Sequence, residues 1–250
     1  MSLNGDEPVV VDRRIETEAP PLELVGVRAA YSGIEVLHGI DLAVPEGEVV
    51  ALLGANGAGK STAVKVAAGL LQPTAGSVRV AGHDVTGVAS HELARIGVCT
   101  IPEGRGIFPN LTVREHLWMA TQATDRDLAV LEEAAYARFP RLGDRRGQLA
   151  GTLSGGEQQM LAMARALVTD PAVLLLDELS MGLAPIVVQQ LYEIVAQVAA
   201  EGISILVVEQ FAQAVLGIAD RAAIMVNGEI ARVGTPAELQ FELSSAYLGG

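Results

Sequence analysis

Apolar positions along this chain follow two alternating spacings. Continuous apolar runs are typical of strands buried on both faces of a parallel sheet, and they predict strands over residues 49–53, 96–101, 172–176 and 203–208. Apolar positions at helical spacing follow most of these runs and predict helices over residues 62–70, 185–200 and 211–218. A chain in which strands and helices alternate in this way favours an α/β fold.

The N-terminal part of the chain departs from this alternation. Strand-like segments over residues 22–44 meet at a turn, Tyr31-Ser32-Gly33, and another strand is predicted over residues 77–81. Alternating apolar and polar residues near the end of this stretch are typical of antiparallel pairing. We therefore expect an N-terminal antiparallel β subdomain. A further hairpin is predicted where Asn227-Gly228, a favoured two-residue turn, joins strands over residues 222–226 and 229–233.

The middle of the chain predicts three helices in a row with no strand between them. Thr112 and Glu115 have the spacing of a capping box, in which each side chain bonds to the backbone N–H of the other residue, so a helix is expected to begin there. A second helix is predicted over residues 125–139, and Ser154 is expected to cap a third. This row indicates a helical subdomain, at about residues 107–168, inserted into the α/β core.

Length and composition fit one domain with a large buried core. The 250 residues are 50% hydrophobic and only 4% aromatic, which suits a sheet covered by helices. Residues 1–21 are acidic, contain three prolines and predict a disordered tail, which leaves residues 22–250 as a single domain. The formal net charge of −13 argues against a nucleic-acid partner, because such proteins need a basic surface.

Several features indicate the cellular compartment. The single cysteine, Cys99, excludes an intramolecular disulfide and is compatible with a reducing compartment. No apolar run approaches the ~18 residues needed to span a bilayer, and the N-terminus lacks the basic and apolar regions of a signal peptide. We therefore expect a cytoplasmic protein whose association with a membrane depends on partners. None of the four histidines has metal-ligand spacing.

The sharpest motif lies between the first buried strand and the helix that follows it, and it reads Gly54-Ala55-Asn56-Gly57-Ala58-Gly59-Lys60-Ser61-Thr62. Its glycines let the backbone turn several N–H groups toward phosphate oxygens, and the helix N-terminus adds partial positive charge. Lys60 supplies an ammonium for the β and γ phosphates, and Ser61 offers a hydroxyl to Mg²⁺. A glycine turn without a ligand is the alternative, but the flanking strand and helix favour a nucleotide triphosphate site.

Two carboxylates follow another buried strand. Asp177 and Glu178 end the run over residues 172–176, at the sheet edge where α/β proteins bind ligands. One carboxylate there can hold Mg²⁺, and the other can orient the attacking water. Taken alone, the pair is also a common start signal for a helix. The phosphate loop upstream favours a metal ligand and a general base.

A second phosphate motif is the segment Leu153-Ser154-Gly155-Gly156-Glu157-Gln158-Gln159. Ser154 and two glycines at a helix start make another backbone site for an anion, with no lysine beside it. One chain therefore carries two half-sites for phosphate. We expect two chains to pair head to tail with ATP between them, and an ordinary capped helix is the alternative.

These three motifs, in this order and with a helical insertion, resemble the ATP-binding cassette (ABC) ATPases from about residue 22 to the end of the chain. Shorter segments are similar to the smaller ATPase subunit of branched-chain amino-acid importers: Pro102-Glu103-Gly104-Arg105, Gly182-Leu183-Ala184-Pro185, Val208-Glu209-Gln210 and Ala246-Tyr247-Leu248-Gly249-Gly250. The resemblance implies an α/β fold with a P-loop nucleotide hydrolase core of the ABC ATPase type.

The resemblance also implies a role for each site residue. Adenine would stack on Tyr31, and the phosphates would be bound by Gly54, Asn56, Gly57, Ala58, Gly59, Lys60, Ser61 and Thr62. Mg²⁺ would be held by Ser61 and Asp177, with an oxygen of Glu103 within reach. Glu178 would be the general base, and Gln210 would contact the γ-phosphate. The site of the opposing subunit would be completed by Ser154, Gly155 and Gly156.

Four positions depart from the wider cassette pattern. Glu103 replaces a glutamine and Gln210 replaces a histidine, and both substitutions resemble those of the branched-chain subfamily. Ala184 replaces the aspartate usual in the loop after the catalytic strand. Leu179 replaces the proline that follows the glutamate even in this subfamily, which changes the stiffness of the chain around Glu178.

The resemblance implies ATP hydrolysis that drives an importer, most closely one for branched-chain amino acids. Its expected partners are a second ATPase subunit, identical or related, transmembrane permease subunits and, indirectly, an extracytoplasmic substrate-binding protein. These partners would place the chain at the inner face of the cell membrane. Candidates for contact with the permease are Phe108, Leu111, Trp118 and Met119. Subdomain core is the alternative for Trp118 and Met119, and Phe108 is the better candidate for contact.

Two other functions stay open at this stage. An importer of urea, short amides or other amino acids would use the same ATPase, because nothing in the chain reads the substrate. A soluble ATP-dependent clamp or dimerisation module, not tied to transport, would share the same motifs.

Overall fold

A computed structural model of the chain describes residues 19–104, 106–124, 126–210 and 212–239. The predicted disordered tail therefore lies outside the described residues, apart from residues 19–21. An antiparallel sheet is built from β1 (Leu22–Tyr31), β2 (Ile34–Val44), β4 (Ala75–Val80) and β5 (His83–Asp84), in the order β2-β1-β4-β5. The predicted turn at Ser32-Gly33 joins its first two strands, and Ser32 and Gly33 both have positive φ.

The second sheet is mostly parallel. Its strands are β3 (Val49–Leu53), β6 (Val98–Ile101), β7 (Val173–Asp177), β8 (Ser204–Glu209), β9 (Arg221–Val226) and β10 (Glu229–Gly234), in the order β10-β9-β3-β8-β7-β6. All pairs are parallel except β10 against β9, which form the predicted hairpin around Asn227-Gly228. The four predicted buried strands are confirmed, three of them with shifted bounds.

Helices cover this sheet and form the predicted row. They are α1 (Lys60–Ala67), α2 (Ser90–Arg95), α3 (Val113–Ala120), α4 (Leu128–Arg138), α5 (Pro140–Asp144), α6 (Gly155–Leu167), α7 (Pro185–Ala200) and α8 (Ala212–Val215). No strand interrupts the described chain between α3 and α6, although the prediction of three helices missed α5. The bounds assigned to the helical subdomain stay a prediction. Within the described ranges, no helix combines the length and the apolar character needed to cross a bilayer.

The core explains why the parallel strands read as unbroken apolar runs. In β3, Val49, Ala51 and Leu53 face a core shared with the inserted helices and α7. Val50 and Leu52 face the opposite core, which lies between this sheet and the antiparallel one. Both faces of the strand are therefore buried, and no polar residue is tolerated along it. The α/β class with an antiparallel sheet and inserted helices is confirmed.

Candidate nucleotide-binding site

The loop between β3 and α1 is shaped for close backbone approach. Gly59 precedes α1 with a φ of 108°, a left-handed conformation that favours glycine. A Cβ atom on Gly54 would lie 2.4 Å from the carbonyl oxygen of Met225 in β9, so only glycine lets the loop pack there. The helix begins at Lys60, two residues before the predicted start, so the N–H groups of its first turn point into the loop.

The ammonium group of Lys60 forms hydrogen bonds within the loop. Its side chain is only 4% exposed, and its Nζ donates to the carbonyl oxygens of Gly54 (2.9 Å) and Ala55 (3.2 Å). The cation is therefore held over the loop without a carboxylate partner among the described residues. Phosphate oxygens entering the loop would meet an ammonium that is already in place.

Asp177 and Ser61 meet at the end of β7. The Ser61 hydroxyl donates to Asp177 Oδ1 at 3.1 Å, and the aspartate is 5% exposed. Burial raises the pKa of Asp177 to about 6, and the negative charges of Glu178 and Glu103 act in the same direction. A divalent cation beside this carboxylate would relieve that unfavourable charge.

These oxygens fit Mg²⁺ as a partner of the nucleotide. Among the described residues, no three acidic, histidine or cysteine side chains converge closely enough to hold a metal by themselves. Mg²⁺ is commonly held by one or two carboxylates together with waters and substrate phosphates. Asp177 can offer one carboxylate and Ser61 a hydroxyl, and the nucleotide would supply the phosphate oxygens. Glu103 is exposed and lines a cavity that Ser61 also lines, and its role toward the metal stays a prediction.

Glu178 leaves β7 in an unusual backbone conformation. Its φ is +52°, a left-handed value that is uncommon outside glycine and clusters at functional sites. Its N–H donates to the carbonyl oxygen of Val208 in β8 at 3.0 Å. This bond continues the pairing of β7 with β8, and the left-handed residue then ends the strand. The Glu178 side chain lines a cavity over the phosphate loop.

A cavity of about 530 Å³ brings the predicted residues together. Its lining includes Tyr31, Asn56, Gly57, Gly59, Lys60, Ser61, Thr62, Glu103, Glu178 and Gln210. Gly54 and Ala58 belong to the same loop but are buried and do not line the cavity. Val36 and Met181 also line the cavity and were missed by the sequence interpretation. Neither residue belongs to a motif, although the short distance along the chain from Tyr31 to Val36 was a signal that Val36 could line the cavity.

The turn at Asn227-Gly228 ties the two sheets together beside the phosphate loop. The N–H of Gly228 donates to the carbonyl oxygen of Ala58 (2.8 Å), and the N–H of His38 donates to the carbonyl oxygen of Gly228 (2.9 Å). A Cβ atom on Gly228 would lie 2.1 Å from the carbonyl oxygen of Val36. The strand that follows the Tyr31 turn is therefore fastened to the loop that carries Lys60.

The Ser154 segment lies away from this cavity. Ser154 caps α6 with the full capping box: its Oγ accepts from the Glu157 N–H (3.4 Å), and its own N–H donates to Glu157 Oε2 (2.9 Å). The Ser154 hydroxyl also donates to Glu157 Oε2 (2.8 Å). Glu157 is in turn paired with Arg145 at 2.9 Å. Ser154 is exposed and Gly155 is half-buried, so the start of α6 reaches the surface. The capped helix is thus present, while the predicted completion of an opposing site stays a prediction.

The loop after Glu103 is anchored by a buried histidine. The Nε2 atom of His116 accepts the N–H of Phe108 at 2.9 Å, so the ring proton sits on Nδ1, which donates to the carbonyl oxygen of Thr112 (2.9 Å). The phenyl ring of Phe108 lies against the imidazole but stays 49% exposed, and Trp118 is 55% exposed. The core alternative for Trp118 is therefore wrong.

The anchor at His116 predicts a dependence of stability on pH. Burial lowers the pKa of His116, and the positive charge of Arg165 acts in the same direction. In the unfolded chain the imidazole takes up a proton near its ordinary pKa of about 6.5. The free energy of unfolding is therefore expected to fall as the pH drops below that value, by at most about 1.4 kcal/mol per pH unit, until the folded imidazole also protonates.

Urea unfolding of the wild type and of His116→Gln, measured from pH 7.5 to 5, checks this expectation. Glutamine keeps an oxygen that can accept the Phe108 N–H but does not titrate. The stability advantage of the wild type should shrink as the pH falls. A difference between the two proteins that is constant across this range would contradict the assignment.

Comparison with known proteins agrees with this geometry. The family model described as ABC transporter matches residues 37–180, which include the phosphate loop, the Ser154 segment and Glu178. The chain is 45% identical over 227 residues, 90% of its length and 97% of the relative's, to the high-affinity branched-chain amino acid transport ATP-binding protein BraG of Pseudomonas aeruginosa.

Two further matches extend the comparison. Over 220 residues, 87% of the chain and 93% of the relative, it is 36% identical to the probable branched-chain amino acid transport ATP-binding protein LivF of Archaeoglobus fulgidus. Among solved structures, an ATP-binding cassette of an ABC transporter superposes with a TM-score of 0.81 at 26% identity, covering 90% of this chain and 95% of that one. The chain therefore belongs to the ABC transporter family, as one of its ATP-binding cassettes.

Proposed function

We propose that this chain is the ATP-hydrolysing subunit of an importer of branched-chain amino acids. The observation that carries the proposal is the match to BraG, which runs along nearly the whole of both chains at 45% identity. The cavity over the phosphate loop supports it, because that cavity gathers residues suited to a base, a triphosphate and an attacking water. ATP is then the substrate, and Mg²⁺ is its expected companion.

In this proposal each part of the cavity has one task. Tyr31 and Val36 hold the base, and the loop N–H groups with Lys60 hold the phosphates. Ser61 and Asp177 would hold Mg²⁺, which when bound neutralises charge on the phosphates. Glu178 takes a proton from the attacking water, and the Gln210 amide donates to the γ-phosphate.

The second half of the site would come from another subunit. The capped start of α6 would offer an anion the Gly155 N–H and, once it turns away from Glu157 Oε2, the Ser154 hydroxyl, but it lies apart from the cavity of its own chain. Head-to-tail pairing with an identical or related ATPase places it over the γ-phosphate. ATP would hold such a pair closed, and hydrolysis would release it.

The membrane partners would bind near the loop after Glu103. Phe108 and Trp118 are large apolar side chains that remain about half exposed on neighbouring elements. Each of these exposed side chains is a candidate for contact with another protein. Contact there with the permease would hold the chain at the inner face of the membrane, and an extracytoplasmic binding protein would deliver the substrate from the other side.

Purification with the permease and binding protein of its own transport system tests this function. ATP turnover by the complex is expected to rise when the binding protein carries leucine, isoleucine or valine, and to stay at the basal rate with urea or acetamide. A complex that contains Lys60→Ala should show no such rise. Stimulation by urea or acetamide alone, or failure of the chain to associate with any permease, would overturn the proposal.

A further inference from the structure

A buried carboxylate stands beside the proposed catalytic residues without a role in the mechanism so far. Glu209 is the last residue of β8 and is 1% exposed. Its Oε1 accepts the Ser180 N–H (3.0 Å) and the Tyr192 hydroxyl, and its Oε2 accepts the Ser180 hydroxyl (2.9 Å). Within the described ranges, no arginine, lysine or histidine pairs with this carboxylate.

A buried carboxyl group without a cationic partner loses its contact with water, so its hydrogen bonds must offset that loss. Tyr192 remains a hydrogen-bond donor to Glu209, because burial and the negative charge of Glu209 raise the pKa of Tyr192 and keep its hydroxyl protonated. Tyr192 lies on α7, Ser180 lies just after Glu178, and Glu209 itself ends a central strand. Three separate elements therefore meet at one carboxylate.

The position of Glu209 in the sheet places it between two parts of the proposed site, the phosphate loop with Gln210 and the turn that carries Glu178. It pairs with Leu53, the residue before the phosphate loop, and its neighbour Val208 pairs with Asp177. The next residue along the chain is Gln210. On the other side, Ser180 lies two residues after Glu178, whose N–H is bound to Val208.

The segment from Glu178 to Ser180 needs such support. Glu178 has a positive φ, and Leu179 stands where the resembled family has a proline, whose ring would fix the local backbone. The Leu179 side chain is instead buried in the large core. The two bonds from Ser180 to Glu209 then hold the other end of the turn.

We propose that Glu209 is a positioning residue for ATP hydrolysis: it holds the Glu178–Ser180 turn against the end of β8, directly before Gln210, so that the general base and the γ-phosphate contact keep one relative geometry. The proposal rests on the functions assigned above to Glu178 and Gln210. It acts through hydrogen-bond geometry, so an uncharged side chain that keeps the bonds should replace the carboxylate.

Two substitutions of Glu209 test the clamp in the chain purified with its membrane subunits. Glu209→Met keeps the length but accepts no hydrogen bond, and kcat is expected to fall at least about tenfold while KM for MgATP stays within about twofold. Glu209→Gln can accept from the Ser180 N–H and Tyr192 hydroxyl and donate to Ser180 Oγ, so its kcat should stay within about threefold of wild type.

A third variant and a matched control complete the test. Glu193→Gln, on the exposed side of α7, should behave as wild type. If Glu209→Met does not fold, the double variant Ser180→Ala with Tyr192→Phe, which removes both hydroxyl donors, is expected to lower kcat with an unchanged KM. Wild-type kcat in either disruptive variant, or equal losses in Glu209→Met and Glu209→Gln, would overturn the proposal. Failure of the proposed function is distinguishable, since full turnover by Glu178→Gln would reject it whatever Glu209 does.

Discussion

Replacing Glu178 with glutamine is expected to lower steady-state ATP turnover by about 10²- to 10⁴-fold while ATP stays bound. Glutamine matches glutamate in size and keeps hydrogen-bonding groups, so the cavity over the phosphate loop should keep its shape. Its amide cannot take a proton from the attacking water. Chemistry should therefore stop after binding, and the head-to-tail pair should accumulate in its ATP-bound form.

Phosphate release and gel filtration in the presence of MgATP measure both parts of this expectation. The variant should elute as a pair that retains ATP rather than ADP, while the wild type turns over and separates. Glu193→Gln serves again as the control for the chemical change. Equal and negligible turnover by wild type and Glu178→Gln would instead favour a module that dimerises on ATP without hydrolysing it.

Replacing Lys60 with alanine is expected to weaken ATP binding itself. The ammonium is buried in the loop, 2.9 Å from the carbonyl oxygen of Gly54, and no other described lysine or arginine lines this cavity. Hydrogen bonds to charged groups contribute about 1.5–3 kcal/mol, which corresponds to a loss of about ten- to a hundredfold in affinity. Turnover at low ATP should fall at least as much.

Titration with a fluorescent ATP analogue, with and without Mg²⁺, measures this loss. The matched control is Lys65→Ala, which removes an exposed lysine from the same helix and should keep affinity within about twofold. Unchanged nucleotide affinity in Lys60→Ala would reject the phosphate-loop assignment, and with it the order of events proposed for the pair.

Much of the fold could be predicted because local patterns agreed with it. The capping box at Thr112 and the capping serine Ser154 marked two helix starts, and Pro185 marked the first residue of α7. The start of α1 was misplaced, because helical geometry there begins at Lys60, within the glycine motif, rather than at the apolar positions. The short helix α5 carries too few residues for a periodic pattern, so it was missed.

The candidate site could be predicted where one motif supplies several neighbouring residues, as in the phosphate loop. It could not be predicted where distant segments meet. Val36 enters the cavity from the antiparallel sheet, and Met181 enters from the turn after Glu178. The bonds from Ser180 and Tyr192 to Glu209 depend on the order of strands in the parallel sheet, which pattern and spacing do not reveal.

The hydrogen bonds at Gly228 have a consequence for how the site fits a nucleotide. They join β2, the strand after Tyr31, to the loop that carries Lys60 through a turn near the other end of the chain. If Tyr31 and Lys60 bind the two ends of one nucleotide, as proposed, this turn helps to set the distance between the two ends of the site. A change in the length of that turn is therefore expected to weaken nucleotide binding even though every residue proposed to contact the ligand is unchanged.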